Sequence, residues 1–174
     1  MNGGGQPGPK QIVVKSPEEI AIMREANQIV AETLAKLIEI AEPGLSTYDL
    51  DQVAESICTK HKAVPAFKGY HGFPASLCVS INEEVVHGIP SRKRKLKKGD
   101  IVSVDFGVCH RGFYGDSAVT IPVGRVSKKS HQLMCATEHS LELAIEQVRV
   151  GNRIADISAA VQNYVEPLGY TVVK

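Results

Sequence analysis

Two β-rich runs, Ile101-Val-Ser-Val-Asp-Phe-Gly107 and Phe113-Tyr-Gly-Asp-Ser-Ala-Val119, flank the turn-forming His110-Arg111-Gly112, and no other part of the chain constrains the fold as tightly. Residues of this kind suit a pleated, half-buried surface, and a short glycine-containing link closes two such runs into an antiparallel hairpin. Each run carries one acid, Asp105 and Asp116, eleven residues apart. Because side chains alternate faces with period two, the hairpin can set both carboxylates at neighbouring positions on one face. Two carboxylates at such range repel and disfavour joint ionisation unless a cation lies between them. Asp105 follows Ile-Val-Ser-Val, a setting expected to be half buried, where an unpaired charge is costly. The pair is therefore a candidate metal site, set against the blander reading of two solvated turn acids.

Of the 174 residues, 43% are hydrophobic and 22% charged, enough apolar material for one domain with a real core. A net charge of +1 gives no overall field that would favour nucleic acid. The charge is uneven, however: Arg92, Lys93, Arg94, Lys95, Lys97 and Lys98 form a basic run that reads either as a solvated loop or as a patch for RNA or an acidic surface. Cys58, Cys78, Cys109 and Cys135 are too scattered for a zinc ribbon and read as reduced thiols. Residues 1–11, opening Met1-Asn-Gly-Gly-Gly-Gln-Pro-Gly-Pro9, are expected to be a disordered lead and lack the apolar core of a signal peptide. No apolar run approaches the roughly 20 residues needed to span a bilayer, and the expected location is cytoplasmic.

Helix signals precede the hairpin. Ser16-Pro17-Glu18-Glu19 is a capping box, and Ile20, Met23, Val30, Leu34, Leu37, Ile38 and Ala41 recur at helical steps until Pro43-Gly44. A second helix is expected from Ser46-Thr47 to near His61, burying Leu50, Val53, Ala54 and Ile57. Leu77–Ile81, Glu84–Val86, residues 101–108 and residues 113–123 read as strands of a largely antiparallel sheet. Helical pattern returns from about Ser130, with Leu133, Met134, Leu141, Ala144, Ile145 and Val148 as the apolar face. It continues from Ile154 to Val165, and Tyr170–Val173 then begins to look like a strand. Gly44-Leu-Ser-Thr-Tyr-Asp-Leu50 and Gly151-Asn-Arg-Ile-Ala-Asp-Ile157 share G-x4-D-[LI], each between a long and a shorter helical segment. The order helix, helix, sheet thus occurs once in full and begins again. The expected class is α+β, with a first half over 12–125 and the start of a second over 126–174.

Two further segments could carry chemistry. His87 ends a β-like run just before Gly88 and Pro90, where a sheet presents reactive groups, although a lone histidine is more often structural. Phe67, Tyr70 and Phe73 crowd a glycine-broken loop leading to Cys78. They either line a pocket, which with its thiol would suit a flexible thioether, or pin the loop by their own packing.

Together, Gly69-Tyr-His-Gly-Phe-Pro74, Ser80-Ile-Asn-Glu83 leading to Val86-His-Gly-Ile-Pro90, Gly99-Asp-Ile-Val-Ser-Val-Asp-Phe-Gly107 and Gly112-Phe-Tyr-Gly-Asp-Ser117 resemble the type I methionine aminopeptidases of the short bacterial kind. The resemblance runs from Ile12 onward. It implies the pita-bread fold (creatinase/aminopeptidase-like), in which two related αβ halves surround an antiparallel sheet flanked by helices. It implies that Asp105 is a bidentate ligand of one metal ion and Asp116 a bridge between two, the ions being cobalt, manganese, iron or zinc. It implies that His87 contacts the scissile peptide nitrogen, and that Phe67, Tyr70, Phe73 and Cys78 hold the methionine side chain. The implied substrates are nascent polypeptides with N-terminal Met and a small second residue, with a transient ribosome contact assigned to Arg92–Lys98.

In the family the segment after Val173 brings a histidine ligand, a second substrate-contacting histidine and two glutamates. The second pseudo-repeat is accordingly expected to be truncated, and the 174 residues to be inactive alone and prone to self-association, whereas the complete enzyme would be a monomer. A proline-specific peptidase of the same fold and a non-catalytic binding protein are the alternatives. The first is disfavoured by Gly69–Pro74, the second by the paired carboxylates with His87.

Overall fold

Ser16 starts the first helix by reciprocal capping: its hydroxyl accepts Glu19 N at 3.2 Å while Glu19 Oε2 accepts Ser16 N at 2.8 Å, and Pro17 occupies the first helical position. The computed structural model describes residues 12–173, so the lead expected over 1–11 lies outside the described residues. Helix α1 spans Pro17–Ile40 and buries Ala26, Ile29, Val30, Thr33, Leu34 and Leu37. The stripe is narrower than the sequence suggests, for Ile20 and Ile38 remain about half exposed. Helix α2 spans Thr47–Lys60 and buries Leu50, Ala54 and Cys58 beside the carboxylate of Asp51.

The repeated G-x4-D motif has a mechanical explanation. Gly44 and Gly151 take φ of 96° and 97°, a left-handed turn that a side chain would strain. Two residues later stand the N-caps of α2 and α4, Ser46 and Arg153. The shared aspartate then accepts the cap's own main-chain hydrogen, Asp49 from Ser46 N at 3.0 Å and Asp156 from Arg153 N at 2.6 Å. Both copies thus spend the same two residues on the same turn between a long and a short helix.

Strand β3, Ile101–His110, is the centre of the sheet. Along one side it pairs antiparallel with β4, Phe113–Pro122, and along the other with β2, Leu77–Ile81, and the two-residue β1, Val64–Pro65. The hairpin closes through Arg111 and Gly112, both at positive φ (50° and 84°), as a two-residue link between twisted strands requires. Val102, Val104, Phe106 and Val108 of β3 and Leu77 and Val79 of β2 face α1 and α2 and are fully buried. Gly115 of β4 lets α1 come close, since a β-carbon there would lie 2.7 Å from the main chain of Ala26.

Beyond the sheet, α3 (Lys128–Glu146) and α4 (Ile154–Val165) pack on each other. Three expectations are corrected here. Glu84–Val86 is not a strand: Asn82 turns the chain at φ 56°, Glu84 Oε2 caps Ile81 N at 2.8 Å and also takes Arg94, and Val85 and Val86 are left exposed. Helix α3 begins at Lys128, because Ser127 caps Ser130 N at 3.0 Å, and its buried residues are the small Ala136, Ser140 and Ala144. Leu133, Leu141, Ile145 and Val148 stay exposed at 39, 57, 61 and 68%. Tyr170–Val173 forms no strand, having no partner strand among the described residues.

Candidate metal centre

The face of the sheet turned away from α1 and α2 carries Cys78, Asp105, Gly107 and Asp116. Asp105 stands opposite Ala118 on β4 and opposite Cys78 on β2, while Asp116 stands opposite Gly107, so the two acids are diagonal neighbours. Asp105 is half-buried and Asp116 exposed. A side chain on Gly107 would collide with Phe67, whose Cε1 would be 2.7 Å from it. The phenyl ring therefore lies directly on the sheet beside the acids.

The loop that follows Phe67 folds on itself through Gly69 N to Phe73 O at 2.8 Å and Phe73 N to Tyr70 O at 2.9 Å. Gly69, His71 and Gly72 all adopt positive φ, and the loop is tied to α2 near its start by Lys68 and Glu55 at 2.6 Å. Across the gap His87 also holds positive φ, 60°, a conformation that costs a non-glycine residue roughly 1–2 kcal/mol. Its neighbour imposes it. Gly88 O accepts Val79 N at 2.8 Å and Gly88 N donates to Ser80 Oγ at 3.1 Å, and a β-carbon on Gly88 would lie 2.0 Å from Val79 O. The clamp onto β2 holds His87 at the rim of the same face.

These elements enclose an open cavity of about 600 Å³. All seven residues singled out from the sequence line it: Phe67, Tyr70, Phe73, Cys78, His87, Asp105 and Asp116. His71, Gly72, Pro74 and Ile89 line it as well and were not singled out, although each lies within two residues of one that was. Burial, then the charge of Asp116 and a hydrogen bond shared with it, push the Asp105 carboxyl up to about 6, with the nearby His87 opposing. Burial, and after it the two aspartates, push the Cys78 thiol up to about 11, so the pocket wall beside the acids is a neutral thiol.

A half-buried carboxyl whose proton affinity is raised by burial and by an adjacent carboxylate fits a place for a cation. The donor set is incomplete, for no cluster of three or more His, Cys, Asp or Glu placed to hold an ion occurs among the described residues. The acids fit as part of a site built from hard oxygen donors, which suit divalent ions.

Comparison with known proteins agrees with this geometry. The chain is 49% identical over 163 residues to a methionine aminopeptidase of Clostridium acetobutylicum, covering 94% of this chain and 65% of that protein. The crystal structure of methionine aminopeptidase from Thermotoga maritima superposes with a TM-score of 0.92 at 40% identity, over 94% of this chain and 66% of that one. A Xaa-Pro dipeptidase from Bacillus anthracis shares the fold alone, with a TM-score of 0.79 at 24% identity over 90% of this chain and 42% of that one. The chain thus spans about 65% of the length of the curated relatives it matches. Its antiparallel sheet flanked by helices is the pita-bread arrangement of these enzymes. The profile of metallopeptidase family M24 matches residues 21–174, and to that family the chain belongs.

Proposed function

We propose that the chain carries part of the catalytic apparatus of a methionine aminopeptidase, which hydrolyses the N-terminal methionine from new polypeptides whose second residue is small. The observation that carries this reading is the single cavity in which Asp105, Asp116 and His87 meet a wall of Phe67, Tyr70, Phe73 and Cys78. Asp105 and Asp116 would hold divalent ions, two in the complete site. Manganese, iron, cobalt and zinc all suit the site. When bound, such ions polarise the scissile carbonyl and provide a water activated at neutral pH.

The residues of this chain orient the substrate. The aromatic wall takes the thioether, whose sulfur contacts ring edges favourably, and the un-ionised Cys78 thiol adds a soft surface without a charge. His87, held at the rim in its left-handed conformation, reaches the scissile amide and donates to its nitrogen or to the developing oxyanion. The methionine reading is preferred to the proline-specific one because the relatives named methionine aminopeptidase match at up to 49% identity, against 24% for the Xaa-Pro dipeptidase.

On this reading residues 12–125 are the first half of the domain and 126–174 the beginning of the second. The remaining metal donors belong to the part of the relatives' length that the match does not reach, so the 174 residues alone are inactive. Four unpaired cysteines support a reducing, cytoplasmic setting, and Arg92–Lys98 supply the contact with the ribosome. The test is release of methionine from Met-Ala-Ser with added manganese or cobalt, by the chain alone and by the chain joined to the last third of a relative, with Asp116→Asn as control. Activity of the joined protein that Asp116→Asn abolishes is expected; release unchanged by that substitution would sink the assignment.

A further inference from the structure

The basic run and a second basic segment, distant in sequence, form one surface. Gly99 N donates to Val123 O at 2.8 Å and Val123 N to Asp100 O at 2.9 Å, which brings the turn after Lys98 against the turn after β4. The contact is close: a β-carbon on Gly124 would lie 3.3 Å from Lys98 Cγ, and one on Gly99 would lie 3.9 Å from Arg125 O. Lys97 and Lys98 therefore neighbour Arg125, and Lys128 and Lys129 follow at the start of α3. All five are exposed, and among the described residues none has an ion-pair partner. The nearby acid, Asp100, is occupied, with Oδ2 accepting Lys97 N at 2.8 Å and Oδ1 accepting Asn82 Nδ2 at 2.9 Å.

The placement of two lysines in the first turn of α3, with no acid beside them, opposes the positive end of the helix dipole. Helix stability does not account for them. Nor does the surface suit a membrane or a protein partner. Leu96 and Val123 are buried at 1 and 0% exposure and Val126 is partly buried, so the surface offers little of the apolar contact on which protein interfaces and amphipathic membrane anchors rely. It also lacks a stacking platform for unpaired bases, since the Tyr48 ring is already covered by Arg92 at 3.9 Å. What suits exposed, mutually repelling cations without apolar support is a regular line of phosphates.

We infer that Lys97, Lys98, Arg125, Lys128 and Lys129 form a binding surface for the phosphate backbone of double-stranded RNA. The choice of RNA over DNA rests on the function proposed above, in which substrates emerge from the ribosome; the charge argument stands without it. Binding is independent of the metal site and of peptidase activity.

The test is fluorescence anisotropy of the full 174-residue chain with a labelled RNA duplex, the same sequence as a DNA duplex, and vesicles of phosphatidylglycerol. RNA affinity is expected to fall at least tenfold between about 50 and about 200 mM salt. Reversal of Lys97, Lys98, Lys128 and Lys129 to Glu should lower affinity at least tenfold and reduce the salt slope by about three to four. The same four residues changed to Gln, which leaves the fold least disturbed, should give a smaller loss in the same direction, while reversal of Lys36 and Lys60 on the α1–α2 side should change little. Absence of RNA binding at low salt, indifference to both quadruple variants, or preferential binding to DNA or to vesicles would each overturn the assignment. None of these results bears on methionine release, which separates failure of this surface from failure of the peptidase reading.

Discussion

Asp51 on α2, buried to 5% exposure, accepts the main-chain hydrogens of Ser76 and Leu77 at 2.8 and 2.9 Å through a single carboxylate oxygen. Those two residues end the pocket loop and start β2, one residue before Cys78. With Glu55, which takes Lys68 at 2.6 Å, it ties both ends of the loop to one helix. Asp51→Ala leaves two buried donors unpaired and is expected to destabilise the protein by about 3 kcal/mol. Asp51→Asn keeps an acceptor oxygen and should cost about half as much. Urea unfolding with an unchanged slope reads the difference. Amide exchange of the loop residues should accelerate in the alanine variant, and a loop unaffected by it would show that the helix is not what holds the pocket.

Two glycines on opposite faces of the hairpin should respond differently to the same added methyl group. Gly115→Ala meets the main chain of Ala26, which cannot move without shifting α1, and should cost about 2 kcal/mol or more. Gly107→Ala meets mainly the Phe67 ring, with the small Ala66 Cβ behind it at 3.3 Å, and the ring can swing away from the sheet. Thermal unfolding should report a large loss for the first and a smaller one for the second. In the joined, active protein the second should impair methionine binding.

The difference between these glycines was not legible in the sequence, which shows both as breaks in a strand. Sequence periodicity placed α1, α2 and the hairpin, since local capping and alternation decide them, and the diagonal placement of Asp105 and Asp116 follows from the turn alone. It failed where distant partners decide. Glu84–Val86 carries two β-forming valines like a strand, but the Gly88–Val79 bond takes the edge it would have used. Helix α3 has an apolar stripe, yet the residues it buries are Ala136, Ser140 and Ala144, a spacing of small residues that could have been read as a close helix contact. The cavity was anticipated as a list of residues; the clamp that forces His87 into a left-handed conformation was not.

Without a bound ion, Asp105 makes the fold less stable as pH rises. Its carboxyl is raised from 3.8 to about 6, so the folded state holds the proton more tightly than the unfolded one. Its stabilising contribution is complete below the unfolded value of 3.8 and is lost as pH climbs through about 6. The melting temperature of the metal-free chain, measured relative to that of Asp105→Asn, should therefore fall across this window. Because a divalent ion must displace the proton, manganese affinity measured by calorimetry should weaken below about pH 6 and level off above it. A melting temperature that rises through the window, with Asp105→Asn unchanged from the parent, would contradict the raised value.

Leu141 and Ile145 of α3 and Val148 just after it are exposed, as is Ile154 at the start of α4, at 82%. Single exposed aliphatics are ordinary, but a contiguous group on a helical hairpin is the kind of patch that drives association. The 174-residue chain is accordingly expected to self-associate with rising concentration in sedimentation or size-exclusion measurements. Each residue freed from water contributes roughly 1.5–3 kcal/mol, so replacing Leu141 and Ile145 by Ser should weaken association at least tenfold. Neither side chain is buried, so the unfolding free energy of the dissociated chain should stay within about 0.5 kcal/mol of the parent's. An association that persists in the double variant would place the contact elsewhere, and an early drop in stability would mean that these side chains are buried in the isolated chain after all.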